Sequence, residues 1–212
     1  MLDRISIELT NQCRKHCHFC YNHSHPTGAT QWEVDELVDL VTDCALAGTK
    51  AISFGGGEPL EYPHLCELLE RLNGVVFRSF TTNGLLLDVD WIDRLVRVAP
   101  DKIHISIHFP ESKPEVDRVI AQVSELAAWG IHSGVNLLVA RSNLTATQAA
   151  AQQLHKSGIK TTLVGTRLSL LSTSLSVLVQ DVSRANVTID RWKIEKSQHQ
   201  SGRVDEIDIA CS

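Results

Sequence analysis

Lys50-Ala51-Ile52-Ser53-Phe54-Gly55-Gly56-Gly57-Glu58-Pro59 opens as a short β-rich run over residues 50–54 that ends in three glycines, with Glu58-Pro59 after them. Its flanks set a pattern. Upstream, residues 32–46 place Val34, Leu37, Val38, Val41 and Ala45 on one helical face, and Ala47-Gly48 stops the helix. Downstream, residues 63–72 read as a helix with proline in the first turn.

The alternation continues in both directions. Residues 5–10, 75–82, 102–108, 131–140 and 160–166 have strand character, and residues 89–98, 114–128 and 145–156 have helix character. Ile103, Ile105 and Ile107 face one way along their strand. Six strand-then-helix repeats predict a parallel sheet with helical crossovers. Short connections and right-handed crossovers are compatible with either a barrel or a doubly wound sheet. Polar candidates fall at the C-terminal ends of successive strands, where sites of both architectures lie. Beyond residue 166 the pattern weakens: Leu171, Leu175, Leu178 and Val182 predict a helix, and residues 187–194 and 204–209 predict strands around a polar turn. Residues 1–167 are expected to form the core, with 168–212 a short irregular extension packed on it and not an independent domain.

The 212 residues can bury a sizeable single core. A net charge of −5 gives no electrostatic case for nucleic acid or an anionic membrane. Asp3, Arg4 and Glu8 interrupt the first apolar run too early for a signal peptide, and no stretch approaches the roughly 18 apolar residues of a spanning helix. A cytoplasmic protein is expected.

Three of the six cysteines crowd into Cys13-Arg14-Lys15-His16-Cys17-His18-Phe19-Cys20. In a reducing compartment such spacing points to metal rather than disulfides. Three converging thiolates suit an iron–sulfur cluster with one iron open to an exogenous ligand, since no fourth thiol follows until Cys44. Zinc is the alternative, with His16, His18, His23 or His25 completing a tetrahedron. On that alternative the chain is a non-catalytic zinc or iron–sulfur binding module on an α/β scaffold. Cys44 and Cys66 fall on apolar helix faces as small core residues, and His104, His155 and His199 are assigned to solvent or packing.

The C-x3-C-x2-C spacing, with aromatic Phe19 before the last cysteine, resembles the signature of the radical S-adenosylmethionine (radical SAM) superfamily over residues 5–166. The Gly-Gly-Glu run one βα unit later is similar to that family's second motif. The resemblance implies a partial (β/α)6 TIM-like barrel, with Cys13, Cys17 and Cys20 holding a 4Fe–4S cluster. It implies that the amino and carboxylate groups of S-adenosylmethionine chelate the open iron. Reductive cleavage then yields methionine and a 5′-deoxyadenosyl radical, which abstracts hydrogen from a substrate.

By the same resemblance, Phe19, Gly55, Gly56, Gly57 and Glu58 are cofactor-binding, the glycine turn receiving the methionyl ammonium through its backbone. Thr82, in the strand-end Thr81-Thr82-Asn83-Gly84 turn, is placed near the methionyl carboxylate. Ser106 is a candidate for the ribose or carboxylate, and Asn136 for the ribose, although Gly134 stands where molybdenum-cofactor-type relatives have a basic residue. His108 stands where some relatives have an acidic residue and is a candidate substrate contact. The implied partners are a peptide, nucleoside or cofactor-precursor substrate and a reductant such as flavodoxin or ferredoxin. The barrel mouth is expected to be open, to admit a large substrate or be closed by a partner protein. Cys211 is a candidate ligand of an auxiliary site if the chain continues beyond it.

Overall fold

The computed structural model describes residues 2–29 and 32–165. Expectations for residues 166–212, including the last helix, the last two strands, His199 and Cys211, lie outside the described residues. Six strands alternate with five helices: β1 (Arg4–Thr10), α1 (Val34–Leu46), β2 (Ala51–Gly56), α2 (Leu65–Arg71), β3 (Phe77–Thr82), α3 (Val89–Val98), β4 (Lys102–Ile107), α4 (Lys113–Ala128), β5 (Ser133–Val139), α5 (Leu144–Lys156) and β6 (Thr161–Gly165).

All neighbouring strands pair in parallel, in the sheet order β1-β2-β3-β4-β5-β6. That order settles what local pattern left open. A doubly wound sheet reverses its strand order at a switch point. Here no reversal occurs, so right-handed crossovers lay every helix on one side and the sheet forms a barrel wall. Among the described residues β1 and β6 do not pair with each other, so the barrel is partial.

The helix-facing side of the wall is apolar. Ile5, Ile7 and Leu9 of β1, Phe54 of β2 and Phe80 of β3 are buried against residues such as Leu37, Leu68 and Leu95 of the helices. Each such side chain contributes about 1.5–3 kcal/mol relative to exposure. Ile103, Ile105 and Ile107 are fully buried on one face of β4, leaving His104 and Ser106 on the other. Cys44 packs against the core, while Cys66 is half-buried on α2.

Element ends depart from expectation where a side chain is already engaged. α1 begins at Val34, not at 32: the Trp32 indole donates to the Glu8 carbonyl (3.1 Å), and Glu33 is an extended N-cap whose N–H reaches the Glu36 carboxylate (3.3 Å). β3 begins at Phe77 because the Val75 N–H still closes the turn after α2 on the Leu72 carbonyl. Among the described residues no helix is long and apolar enough to cross a membrane.

Candidate cofactor site

The cysteines lie on the loop between β1 and α1. Its base is stitched by Cys13 N–H to His25 O and His25 N–H to Asn11 O, both 3.1 Å. Within it, Cys20 N–H donates to Cys17 O (3.0 Å), a turn that brings these two residues together. The three thiols are half-buried, and each lies near enough to the others for their charges to interact. Burial pushes the Cys17 thiol up to about 11, with nearby Lys15 opposing, and burial likewise raises Cys13. Among the described residues no three His, Cys, Asp or Glu side chains close into a metal-binding group. A cation bound among the three sulfurs would draw them together by displacing their protons.

The loop is fastened across the barrel mouth. Lys15 forms an ion pair with Glu115 of α4 (2.8 Å), both side chains being about nine-tenths buried. The same Glu115 oxygen accepts the His108 N–H (2.7 Å). Phe19 packs against the rings of His108 and Phe109, with centroids 5.9 and 5.8 Å apart. Neither Lys15 nor Glu115 stands out in the sequence. They are 100 residues apart, and a glutamate in a helix's first turn is ordinary.

The three glycines have three different surroundings. Gly57 lies against the start of the cysteine loop: its N–H donates to the Thr10 carbonyl, and a Cβ would collide with the Gln12 carbonyl. Gly56 has φ +101°, and a Cβ would stand 2.6 Å from the Thr10 carbonyl. Gly55 has no such neighbour; a Cβ there would project into open space. That space is where a ligand could meet bare backbone.

Glu58, only 1% exposed, has both oxygens occupied within the protein. One accepts the Thr82 hydroxyl (2.6 Å) and the Leu60 N–H (3.0 Å); the other accepts the Asn83 N–H (2.8 Å). Burial raises the carboxyl's pKa, and these three donors oppose it. The Thr82 hydroxyl in turn accepts the Gly84 N–H (3.0 Å). Thr82 shares the helix-facing side of β3 with Phe80 and Arg78. Glu58 and Thr82 thus join the ends of β2 and β3.

Ser106, buried, and Asn136, half-buried, are register partners on β4 and β5. Gly134 is the register partner of His104, and a Cβ added there would stand 3.3 Å from the Lys160 carbonyl and 3.4 Å from the His104 ring. The His108 ring stands at the end of β4 with Nδ1 buried and without a hydrogen-bond partner among the described residues.

A sequence description of the Radical SAM superfamily matches residues 7–168 of the chain. The chain belongs to the radical SAM superfamily. It is 34% identical over 109 residues to the GTP 3′,8-cyclase of Chlorobaculum tepidum, a match covering 50% of this chain and 33% of that protein. The chain thus spans about a third of the length of this curated relative. In fold it is similar to Streptococcus suis SuiB bound to S-adenosylmethionine (TM-score 0.75, 15% identity, covering 90% of this chain and 51% of that one). It is also similar in fold to anSMEcpe with bound AdoMet (TM-score 0.66, 15% identity, covering 89% and 64%). As a radical SAM enzyme it uses a 4Fe–4S cluster and S-adenosylmethionine. Three thiols on one loop are the donor set that thiophilic iron requires, and Gly57 of the glycine turn lies against the base of that loop at Gln12.

His108 carries a pH signature. Desolvation holds it down to about 4 from an ordinary 6.5, with the Lys15 charge adding and Glu115 opposing. The unfolded chain therefore binds this proton between those values while the folded chain does not, so stability falls as pH drops through that window. By pH 5 the loss is about 2 kcal/mol, and above 6.5 it vanishes. Chemical denaturation at pH 7 and pH 5 should show the wild type losing about 2 kcal/mol more than His108→Gln. Equal losses would mean the imidazole is solvated.

Proposed function

We propose that Cys13, Cys17 and Cys20 hold the 4Fe–4S cluster and that S-adenosylmethionine lies with its methionyl end against Gly55. A cluster held by these three thiolates would supply one electron for reductive cleavage of S-adenosylmethionine to methionine and a 5′-deoxyadenosyl radical, which would take hydrogen from a small-molecule or peptide substrate. One observation supports this reading above the others. The Gly57 and Glu58 N–H groups donate to the Thr10 and Gln12 carbonyls, so the glycine turn and the base of the cysteine loop form one structural unit.

The chain's own residues then divide the work. Gly55 leaves room for a ligand's polar end to approach the backbone. Glu58 orients the β3 end through Thr82 and Asn83 rather than touching the cofactor through its carboxylate. Phe19 and His108 line the far side of the cysteine loop, where the neutral imidazole can donate or accept a hydrogen bond without adding charge. Ser106 and Asn136 present polar groups from the two neighbouring strands, toward the ribose and carboxylate region. A one-electron donor such as reduced flavodoxin or ferredoxin and a cytoplasmic setting, where thiols stay reduced, complete the proposal.

After anaerobic reconstitution with iron and sulfide, dithionite and S-adenosylmethionine should yield 5′-deoxyadenosine and methionine by liquid chromatography. Cys17→Ala should lower the yield at least about a hundredfold, since two thiolates no longer hold the cluster. A fully loaded cluster that makes no 5′-deoxyadenosine, or a colourless protein that takes up zinc instead, would favour the non-catalytic module and sink the proposal.

A further inference from the structure

Asn83 sits just past the end of β3 with its backbone and side chain both committed. Its N–H donates to Glu58 (2.8 Å), its carbonyl accepts from the Arg118 guanidinium (3.3 and 3.4 Å), and its side-chain Oδ1 accepts the Leu85 N–H (2.8 Å). The last contact decides which way the amide points. A backbone N–H can only donate, so the atom facing it must be the oxygen. The amide nitrogen is therefore directed at the sulfur of Cys13, 3.6 Å away. A helix fixes this arrangement from behind. Gln122 of α4 donates to the Gly84 and Leu87 carbonyls (2.7 and 2.9 Å), and Arg118 to the Asn83 carbonyl.

We infer that Asn83 is a positioning residue whose side-chain amide donates a hydrogen bond to the Cys13 thiolate and raises the reduction potential of the cluster. The inference rests on the reading of Cys13 as a cluster ligand and adds to it how readily that cluster accepts its electron. The physical basis is charge. Reduction adds an electron to a centre already rich in negative charge, and a fixed N–H dipole on a ligand sulfur stabilises the reduced form more than the oxidised one. Since Asn83 is held by Glu58, Arg118 and the Leu85 N–H before any cofactor arrives, the dipole needs no reorganisation on reduction. Through its hydrogen bond to the Asn83 N–H, the Glu58 carboxylate helps to hold this residue in place, which links the glycine motif to the cluster's electronics.

Two variants separate tuning from scaffolding. Asn83→Ser keeps a hydroxyl oxygen in reach of the Leu85 N–H but is too short to reach the sulfur. Asn83→Asp keeps the same acceptor and turns a carboxylate oxygen toward the sulfur. The reconstituted full chain would be poised at fixed potentials, with the reduced cluster quantified by electron paramagnetic resonance and iron per chain counted in parallel. The ratio of reduced to oxidised cluster at one potential should fall threefold to tenfold in Asn83→Ser and further in Asn83→Asp, tenfold being about 59 mV for a one-electron couple. Ratios within twofold of wild type in both variants overturn the inference. So does failure of both to take up iron, which would make Asn83 a scaffold for the loop alone. If the wild type itself forms no 4Fe–4S signal, the proposed function falls and this inference with it; an intact wild-type signal with unmoved variants overturns this inference only.

Discussion

Gly57→Ala should abolish iron uptake, while Gly55→Ala should load a normal cluster and lose affinity for S-adenosylmethionine. The two residues are two positions apart in one motif, yet their neighbours differ completely. A methyl group on Gly57 meets the Gln12 carbonyl, which is backbone and cannot rotate away. Overpacking of this kind costs roughly 1–3 kcal/mol, and here the segment that must shift is the base of the loop carrying Cys13. The Gly57 and Glu58 N–H bonds to Thr10 and Gln12 would be lost with it. Gly55 has ordinary backbone angles for any residue and nothing within 4 Å of an added Cβ. The folded protein should accept alanine there without strain. If the methionyl end of the cofactor lies against that backbone, a methyl group displaces it, and S-adenosylmethionine affinity should fall at least about tenfold, or roughly 1.4 kcal/mol. Iron per chain and calorimetric titration read the two effects separately. Equal iron contents in the two variants, or unchanged affinity in Gly55→Ala, would refute the division.

That division was beyond the reach of the sequence, for a physical reason. Three consecutive glycines announce freedom of backbone, but whether a glycine makes room for a ligand or for another stretch of chain depends on what folds against it. The cysteine loop was legible because its information is local: three thiols within eight residues can reach one small cluster whatever the rest of the chain does. Strand and helix positions were legible for the same reason, since hydrophobic period is local, and α3 runs over the residues its period marks. The family resemblance carried by the two motifs is what pointed to the partial barrel. Barrel against doubly wound sheet was not legible in the hydrophobic period, because strand order is a relation between segments that no single segment records. The same holds for Glu58. Its place in a family motif points toward the cofactor, whereas its oxygens are occupied by Thr82, Asn83 and Leu60, two of them a strand away. The Lys15–Glu115 pair is the extreme case, a buried contact between two residues that neither spacing nor composition marks.

Arg78→Met should destabilise the fold by about 3–5 kcal/mol while leaving the chemistry of the folded fraction unchanged. Arg78 sits near the start of β3 with its side chain 3% exposed. Its guanidinium donates to the Leu69 carbonyl in the last turn of α2 (2.6 Å) and to the Val98 and Ala99 carbonyls at the end of α3 (3.3 and 2.7 Å). Nε and the backbone N–H both reach the Asp101 carboxylate (3.0 and 2.7 Å). Two helix C-termini, each carrying partial negative charge and unpaired carbonyls, are thereby satisfied by one cation. Methionine matches the length but none of the donors, so buried carbonyls are stranded at both helix ends. Arg78→Lys should be intermediate, because one ammonium cannot span acceptors that the planar fork reaches together. Against a total stability of roughly 5–15 kcal/mol, the methionine variant would retain little margin. Urea denaturation of the cofactor-free proteins measures the loss, and a change under about 1 kcal/mol would mean that water replaces the guanidinium at no cost. The separation from chemistry follows from the strand itself. Arg78 lies at the N-terminal end of β3 and Thr82 at its C-terminal end, so one strand anchors the helices at its foot and meets the site at its top.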